Sequence, residues 1–351
     1  MIQGNVLDNG IVKVEIDPKT GVISSFTMNA DTFNYAGPEG LNGYLYSGQM
    51  LHDLQTIRRI KRIVVLDDGE VAATLRIESE APGCNSLLRD ITVYKGLGRA
   101  DIVNTLDKTA VYKKENVRFA FPFRMPNAEI TMDIAMGEMH PERDQLVGSN
   151  KNFYSILNGI AVNNLQHGIM MTSVDAPFVE LGEMTAEDWK KERRGEGWMS
   201  AAVLSPTIYS WVMNNSWGTN YKASQSGQVR FCYSLEACDP YDVRLKRQGI
   251  EQAQKLVCVV SDKKDPVTPL FRLKDDGRIA LSTIKPVDDG TAYLLRLQNL
   301  SSKPVHSAFE WLKLQPKSVF RCDNNQQWTG HFNHASFRLM PFECVTLKVK
   351  K

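Results

Sequence analysis

Short strands separated by aspartate and glycine turns are the feature that most constrains the fold of this chain. Residues 62–66 and 71–77 flank Asp67-Asp68-Gly69, where glycine permits the positive φ of a tight reversal. Residues 71–77 place alternate apolar side chains on one face and polar ones on the other. Further strand-like runs follow at residues 88–94, 100–106, 117–123, 160–163, 169–174 and 229–235. This pattern predicts a large sandwich of antiparallel sheets, with no alternation of strands and helices.

One segment breaks the strand pattern. Asp239 is a good N-cap, Pro240 suits the first helical position, and apolar residues recur at helical spacing as far as Val257. We therefore predict a helix over residues 239–257. The polar stretch 261–269 contains two prolines and predicts a linker.

The linker divides the chain into a large domain, residues 1–260, and a small domain, residues 270–351. The small domain contains about five strand-like runs, at residues 279–284, 292–298, 305–311, 319–322 and 344–349, and two Asp-Asp-Gly turns, at residues 275–277 and 288–290, which predict a small β-sandwich. At about eighty residues it would be marginally stable alone, so we expect it to lie against the larger domain.

Composition excludes several classes of partner. The chain has 42 Lys and Arg residues against 40 Asp and Glu, and a net charge of +2 does not attract nucleic acid or anionic membranes. No apolar run approaches the roughly 20 residues that cross a bilayer, and the first residues do not resemble a signal peptide. We expect a soluble protein with no nucleic-acid or membrane partner, and its compartment stays unknown.

The cysteine and histidine residues give weak signals. Six cysteines are scattered through the chain, unlike a disulfide framework, so we interpret them as mostly free thiols. Cys258 lies in the apolar run LVCVV, where we expect buried packing. His331 and His334 form an HxxH pair that can bind a metal, but no third ligand is near in the sequence. We predict no metal site in this chain.

The segment 208–221 carries the clearest binding signal. An alternating strand is followed by Asn214, Trp217, Asn220 and Tyr221. Asn amides donate and accept hydrogen bonds while aromatic rings offer flat apolar faces, a combination that suits sugar hydroxyls and C–H patches. These four residues are candidate substrate-binding residues. The alternative is a hairpin loop whose Asn side chains bond their own backbone and whose rings pack inward.

Three central blocks of the chain are distinctive: HPERDQLVGSNKNFYSI, GIMMTSVDAPFVELG and IYSWVMNNSWGTNY. The opening VKVEIDPKTGVISSF and the tail segments IKPVDDGTAYLLRLQNLSSKPV and MPFECVTLKV belong with them. Together they resemble the β-rich C-terminal half of bacterial members of glycoside hydrolase family 38, the retaining α-mannosidases. The resemblance covers essentially the whole chain.

The resemblance implies an all-β fold: a large antiparallel β-supersandwich like that of galactose mutarotases, followed by a small β-sandwich. It also implies that the zinc ion and the carboxylate nucleophile belong to an N-terminal α/β-barrel half that this chain lacks. The family's zinc site uses a His-x-Asp pair, which none of the six His residues forms. A retaining glycosidase needs two carboxyl groups about 5 Å apart, and the sequence nominates no such pair. We therefore expect no catalytic residue here, and zinc only in the missing half.

The family's β-half also lends a tyrosine to the sugar site from a loop after the opening hairpin. The segment FNYAGPEGLNGYLYSG resembles that loop, which implies this role for Tyr35, although Tyr44 and Tyr46 are close in sequence. The alternative is that Tyr35 is an aromatic contact beneath a Gly-Pro loop.

Three other polar features are interpreted as structural. Arg143 and Asp144 are expected to form a local ion pair that orders a loop. Asp175 is expected to serve as a turn or cap residue ahead of Pro177. The highly charged stretch 185–197 is expected to be a solvated loop.

These observations predict the C-terminal region of an α-mannosidase-like retaining glycoside hydrolase acting on α-mannosides. It would complete the sugar site and support an N-terminal catalytic domain of the same parent protein, and alone it should be inactive. A free-standing carbohydrate-binding module is one alternative, suggested by the Asn and Trp loop. A mutarotase-type epimerase is another, and it needs an acid and a base, for which His140 and His167 are the central candidates.

Overall fold

Strands dominate the structure, a computed structural model. It describes residues 1–48, 53–185, 199–215, 222, 224–240, 244–254, 256–262 and 267–351. These residues form two compact units, one made of Met1–Ile134 and Met139–Leu245, the other of Ala135–Glu138 and Lys246–Lys351. The predicted domain limits of 1–260 and 270–351, with a linker at 261–269, stay predictions.

Most strands precede the helix in the chain. They are β1 (Ile2–Gln3), β2 (Val6–Asp8), β3 (Val12–Ile16), β4 (Ile23–Met28), β5 (Gly43–Gly48), β6 (Arg59–Asp68), β7 (Ala72–Glu80), β8 (Cys84–Tyr94), β9 (Arg99–Lys108), β10 (Glu115–Pro122), β11 (Glu129–Ile134), β12 (Gly137–Met139), β13 (Tyr154–Ser155), β14 (Gly159–Asn163), β15 (Gly168–Ser173), β16 (Phe178–Leu181), β17 (Thr207–Asn214) and β18 (Gly227–Cys238).

The helix and the remaining strands complete the described structure. They are α1 (Leu245–Ala253), β19 (Phe271–Leu273), β20 (Ile279–Pro286), β21 (Ala292–Asn299), β22 (Val305–Ser307), β23 (Phe309–Trp311), β24 (Ser318–Cys322), β25 (Trp328–His331), β26 (Phe337–Leu339) and β27 (Cys344–Lys350).

Two large sheets form the core of the first unit. One has the strand order β11-β14-β15-β18-β9-β8-β7-β6 and the other β13-β16-β17-β10-β5, with antiparallel neighbours throughout. Phe119 and Phe121 of β10 point inward and meet Tyr233 of β18, with ring centroids 6.1 and 5.0 Å apart. The predicted large antiparallel sandwich is confirmed.

Strand β7 has apolar side chains on one face and polar side chains on the other, as predicted. Its inward side chains are in the core, while Thr74 bonds Thr92 and Arg76 makes two hydrogen bonds of 2.7 Å to Asp90. Val71, which the sequence placed on the buried face, precedes the strand and is exposed. The polar face of this strand therefore bonds to neighbouring strands.

Arg89 of β8 is a fully buried cation of the first unit. Its guanidinium donates to Thr20 O at 3.0 Å, to Ser79 Oγ at 3.1 Å and to Asn42 O at 3.5 Å. Burial lowers its pKa to about 10. Gly21, with φ +66, lies so close that a Cβ there would be 2.1 Å from Arg89 Nη2.

The second unit contains a sheet of order β20-β21-β27-β24-β25. Leu295, Leu297 and Leu347 point from it into a separate core, where Phe309 and Trp311 stack at 4.6 Å. Both predicted Asp-Asp-Gly turns have a glycine with positive φ. The small C-terminal β-sandwich is thus confirmed, although β19, β25 and β26 were not predicted and the predicted strand 305–311 is split into β22 and β23.

The helix prediction is wrong at both ends. Helix α1 begins at Leu245, whose side chain packs against Ala161 and Met170, and it ends at Ala253. Asp239 and Pro240 are therefore not its cap. The apolar run 256–260 beyond it is exposed, so the expected burial of Cys258 is also wrong, whereas all six cysteines are free as predicted. No helix within the described residues has the length and apolarity to cross a membrane.

Candidate functional site

Tyr35 lies in the loop after strand β4, where hydrogen bonds fix the backbone around it. The Asn34 side chain accepts hydrogen bonds from the backbone N–H groups of Phe26 at 3.0 Å and Ala36 at 2.9 Å. The Tyr35 N–H donates to Phe26 O at 2.9 Å, and its carbonyl accepts from the Arg124 N–H at 2.8 Å. The loop therefore holds Tyr35 in a defined position.

The Tyr35 side chain is buried, but its hydroxyl has no hydrogen bond to any residue that the structure describes. Its ring lies edge-on to Phe33 at 5.0 Å and to His167 at 6.1 Å. Burial first, and the negative charge of Asp31 second, raise the pKa of Tyr35 to about 12. The phenol is therefore protonated at neutral pH and can donate a hydrogen bond to a ligand.

His167, one of the two histidines considered for an epimerase, belongs to the same cluster. Its ring stacks on Phe33 with centroids 3.8 Å apart and an interplanar angle of 9°. Its Nδ1 lies 3.1 Å from Asp31 Oδ2. The carboxylate and the imidazole are thus partners of each other, beside the Tyr35 ring.

The two other tyrosines of this region have partners of their own. The Tyr44 hydroxyl donates to Pro82 O at 2.6 Å, and burial raises its pKa above the usual range. Burial and a hydrogen bond with Glu115 raise the pKa of Tyr46. Of the three tyrosines weighed from the sequence, Tyr35 is the one whose hydroxyl is available to a ligand.

Asn214 lies at the end of β17 in a polar row that crosses three strands. It is opposite Asn116 of β10, which is opposite Ser47 of β5. Asn116 Oδ1 accepts a hydrogen bond of 3.0 Å from Trp211 Nε1. Asn214 Oδ1 and Ser47 Oγ are buried and have no hydrogen-bond partner among the described residues. Because buried polar atoms are nearly always paired, this row has unused bonding capacity.

The other predicted residues of the loop, Trp217, Asn220 and Tyr221, lie outside the described residues, as does most of the charged stretch 185–197. Asn215 has a structural role: its side chain donates to Val111 O and Lys113 O at 2.9 and 2.8 Å. This part of the segment agrees with the alternative of a loop whose Asn side chains bond the backbone.

The polar row belongs to a larger surface, which we name the Arg118 face. It is the side of the sheet β13-β16-β17-β10-β5 opposite the core, defined by Ser47, Asn116, Arg118, Glu180, Trp211 and Asn214. Arg118 Nε donates to Glu180 Oε2, and both side chains are at most 1% exposed. The Arg118 guanidinium lies 5.4 Å from the centre of the Trp211 ring.

The buried ion pair of Arg118 and Glu180 was not predicted from the sequence. Its members are 62 residues apart in the chain, so no local motif joins them. The available signal was a single arginine on the polar side of an otherwise apolar strand, Val117 to Phe121. Since Arg118 and Glu180 neutralise each other in a buried place, they support the sheet and are not placed to react.

Other polar features are local. Arg143 Nε bonds Asp144 Oδ1 at 3.3 Å, which confirms the predicted ion pair, and His140 Nδ1 is 2.7 Å from Asp144 Oδ2. Asp175 Oδ2 accepts a hydrogen bond from the Cys232 N–H of β18, so its role is structural, but it connects to another strand instead of serving as the predicted turn or cap residue.

Among the residues the structure describes, no three His, Cys, Asp or Glu side chains are grouped to bind a metal. His334 Nδ1 instead accepts a hydrogen bond of 2.9 Å from Trp311 Nε1. The structure does not bring Tyr35 and Asn214 together. The Tyr35 carbonyl bonds the Arg124 N–H just beyond one end of β10, whereas Asn214 is opposite Asn116 near the other end, roughly 25 Å away along the strand. Each of the two can offer a hydrogen bond to a polar ligand.

Comparison with known proteins places part of the chain in a family. Residues 278–347 match the model of the glycosyl hydrolases family 38 C-terminal beta sandwich domain. The sequence has no significant match among curated proteins.

Solved structures share the fold of nearly the whole chain. An α-mannosidase from Enterococcus faecalis V583 has a TM-score of 0.71 at 12% identity, covering 99% of this chain and 42% of that one. A protein in glycosyl hydrolase family 38 from Enterococcus faecalis has a TM-score of 0.70 at 12% identity, covering 98% and 44%. This chain therefore spans less than half the length of either.

A putative aldose 1-epimerase from Escherichia coli K12 matches more weakly, with a TM-score of 0.39 at 9% identity over 66% of this chain and 97% of that one. The family match in the second unit and the fold shared with the two Enterococcus proteins agree with each other. Residues 278–347 thus match the family 38 C-terminal beta sandwich domain, and nearly the whole chain shares the fold of the corresponding part of the two Enterococcus proteins.

Proposed function

We propose that this chain forms the β-half of an α-mannosidase-like retaining glycoside hydrolase acting on α-mannosides. It completes the sugar site and supports an N-terminal catalytic half, which carries the nucleophile and the zinc ion. The family match at residues 278–347 and the fold shared with a longer α-mannosidase support this proposal.

The observation that carries the proposed role in the site is the unpaired hydroxyl of Tyr35. The Tyr35 ring is buried, but its hydroxyl is not among the fully buried polar atoms, so a sugar oxygen can take the place of water as its hydrogen-bond partner. The rigid loop fixes the direction of this hydroxyl, and its raised pKa keeps the proton on the oxygen at neutral pH. Tyr35 would therefore donate one hydrogen bond to a sugar oxygen.

We propose Asn214 as a second substrate contact, with Trp217, Asn220 and Tyr221 from the loop that follows it. Because Asn214 lies near the opposite end of β10 from Tyr35, these residues would contact a different part of the substrate. The unpaired Oδ1 of Asn214 supports this role, since a carbonyl oxygen accepts hydrogen bonds and sugar hydroxyls donate them. Trp217 and Tyr221 would contribute flat apolar surfaces for the C–H patches of the ring.

Zinc in the other half would act as a Lewis acid and orient the sugar hydroxyls. The residues of this chain would orient the mannoside and exclude water from one side of it. On its own, the chain should therefore bind weakly and hydrolyse nothing.

Activity assays test the proposal at two levels. The 351-residue chain alone should not hydrolyse an aryl α-mannoside, with or without added zinc. The continuous product of the reading frame, including any segment encoded upstream of Met1, should hydrolyse it and lose activity on chelation. Zinc-independent hydrolysis by the 351-residue chain would overturn the proposal.

The role of Tyr35 is tested in that continuous product. Tyr35→Phe should lower kcat/KM by roughly three- to tenfold, the effect of one lost neutral hydrogen bond, without a change in thermal stability. Tyr154→Phe is the matched control, because Tyr154 is another buried tyrosine whose hydroxyl has no hydrogen bond to a described residue, and it belongs to β13 instead of the Tyr35 loop. Equal effects of the two variants on kcat/KM would remove Tyr35 from the site.

The carbohydrate-binding module is the second candidate, supported by the unpaired oxygen atoms of the polar row. Calorimetry of the 351-residue chain with mannose and mannobiose distinguishes it, because a module should bind either sugar without another half. The epimerase alternative stays a prediction, and an anomer-equilibration assay tests it.

A further inference from the structure

The sheet of the second unit has a cationic outer face, which we name the Arg296 face. It is the side of β20-β21-β27-β24-β25 opposite the core, defined by Thr283, Lys285, Arg296, Thr346, Lys348 and Trp328. Strand pairing places Thr283, Arg296, Thr346, Cys322 and Trp328 in one row across the five strands. The neighbouring row contains Lys285 and Lys348.

A tight turn between β24 and β25 makes a cleft on this face. Asp323 Oδ1 accepts hydrogen bonds from the Asn325 N–H at 2.9 Å and the Gln327 N–H at 2.8 Å. Gln326 has a left-handed backbone with φ +63. The turn thereby adds the side chains of Asn324 and Gln326 to the lining of a cleft of about 210 Å³.

The cleft offers hydrogen-bond donors that no protein group uses. Lys285 and Arg296 line it, and neither they nor Lys348 form an ion pair within 4.0 Å in the described parts of the chain. Arg296 Nε donates to Thr346 Oγ1 at 3.2 Å, which orients the guanidinium and leaves its terminal nitrogens for a ligand.

Two carboxylates lie at the edges of the face, and local groups occupy both. Asp289 accepts hydrogen bonds from the Thr291 N–H at 2.9 Å and hydroxyl at 2.6 Å. Asp323 bonds the backbone of its own turn. Among the residues that the structure describes, Arg296 and Lys285 therefore have no carboxylate within ion-pair distance, and an anion would supply their counter-charge.

The rest of the lining suits a sugar better than a bare anion. Asn324, Gln326, Thr283 and Thr346 add amide and hydroxyl groups, which bond sugar hydroxyls. Trp328 is 62% exposed and continues the row of Arg296, three strand spacings or roughly 14 Å away. An exposed indole at that distance can stack on a further sugar ring of the same ligand.

We propose that the Arg296 face binds an anionic saccharide, with its phosphate or carboxylate group between Arg296 and Lys285. The cleft is smaller than the roughly 300–1,000 Å³ of typical drug-sized sites, which suits one charged sugar residue with any further residues outside it. The proposal is independent of hydrolysis, since it concerns a surface of the second unit alone.

Isothermal titration calorimetry of the 351-residue chain tests this site. The probes are glucose 6-phosphate, glucuronate, glucose and inorganic phosphate. One or both charged sugars should bind at least about tenfold more tightly than glucose and than phosphate, and the affinity should fall as salt is added. The comparison of the two charged sugars shows whether the recognised anion is a phosphate or a carboxylate.

Variants connect the binding to the cleft. Arg296→Gln and Lys285→Gln should each weaken binding of the preferred charged sugar by about tenfold or more. Arg338→Gln is the control for Arg296, because Arg338 is an exposed arginine on β26, in another sheet. Lys313→Gln, another exposed position, is the control for Lys285.

Three outcomes would overturn the proposal. They are no binding of either charged sugar, phosphate bound as tightly as the sugars, or equal loss in the cleft variants and their controls. Lys285 is exposed, so Lys285→Gln should fold even if Arg296→Gln does not.

Discussion

The Arg118 face and the Arg296 face are both outer faces of five-stranded sheets, and both have an arginine near the centre. Arg118 is buried and paired with Glu180, so its charge is neutralised within the protein. Arg296 is only half-buried and has a threonine hydroxyl as its partner. The difference shows that a charge in a sheet is informative about ligands only when its counter-charge is missing.

The largest expected effect comes from breaking the buried pair. Arg118→Ala should lower the free energy of unfolding by about 3–5 kcal/mol, because Glu180 would be left buried and uncompensated. Urea denaturation monitored by tryptophan fluorescence measures the loss.

The double variant Arg118→Met with Glu180→Leu is the control for this prediction. It removes both charges and should cost much less than Arg118→Ala. If Arg118→Ala were to cost less than about 1 kcal/mol, the Arg118 face would not differ from an ordinary surface.

A smaller loss of stability is expected from a substitution on the Arg296 face. Arg296→Gln should lower the free energy of unfolding by about 1 kcal/mol or less, since it removes one hydrogen bond from a half-exposed position. The same urea measurement applies. A loss as large as that of Arg118→Ala would mean that Arg296 is a structural residue, and the contrast between the faces would be lost.

The smallest expected effect is on the pH dependence of stability, and it involves Asp289, a carboxylate at the edge of the Arg296 face. The Thr291 hydroxyl, and then its backbone N–H, hold the pKa of Asp289 below its usual range. A carboxyl whose pKa is lower in the folded state stabilises the protein above its unfolded pKa, and this contribution is lost as the pH falls through the folded pKa.

Asp289→Asn should therefore slightly reduce the dependence of the melting temperature on pH below about 4, with the change confined to that range. Differential scanning calorimetry from about pH 6 to pH 3 measures it. Asp276→Asn in the other Asp-Asp-Gly turn is a comparison variant, since Asp276 pairs with Arg278 instead of a threonine. An identical pH profile for Asp289→Asn and the unmodified chain would contradict the prediction.

Local patterns predicted the sheets because a strand determines its two faces within a few residues. The alternation around Leu75 predicted the buried side of β7, and Gly277 and Gly290 in the two Asp-Asp-Gly turns of the second unit have the predicted positive φ. The positive φ expected at Gly69 is wrong: the chain reverses there, with the Gly69 N–H donating to Ala72 O, but Asp67 and Asp68 belong to β6 and Gly69 is not left-handed. The same reasoning failed for the helix. Its start is determined by the packing of Leu245 in the tertiary structure, and the apolar residues near Cys258, which were expected to be buried, are exposed.

The candidate site was less accessible to sequence reasoning. Tyr35 came from a family resemblance, and its unpaired hydroxyl depends on rings and a loop that only the fold brings together. Glu180 and Arg118 meet across 62 residues, and the Arg296 face needs five strands in register. Such sites depend on long-range pairing, which alternation within one strand does not encode.

Arg89 has a consequence for how the first unit unfolds. Its guanidinium takes its acceptors from three segments: the turn at Thr20, the loop at Asn42 and strand β7 at Ser79. If one of these segments detached, the buried Arg89 guanidinium would lose a hydrogen-bond acceptor. Local unfolding of any of the three segments therefore costs the free energy of leaving part of a buried charge unpaired. We therefore expect the hairpin of β3 and β4 and the strands β7 and β8 to unfold together. Hydrogen-exchange protection at Gly21 should then match that of β8 and exceed that of an ordinary turn.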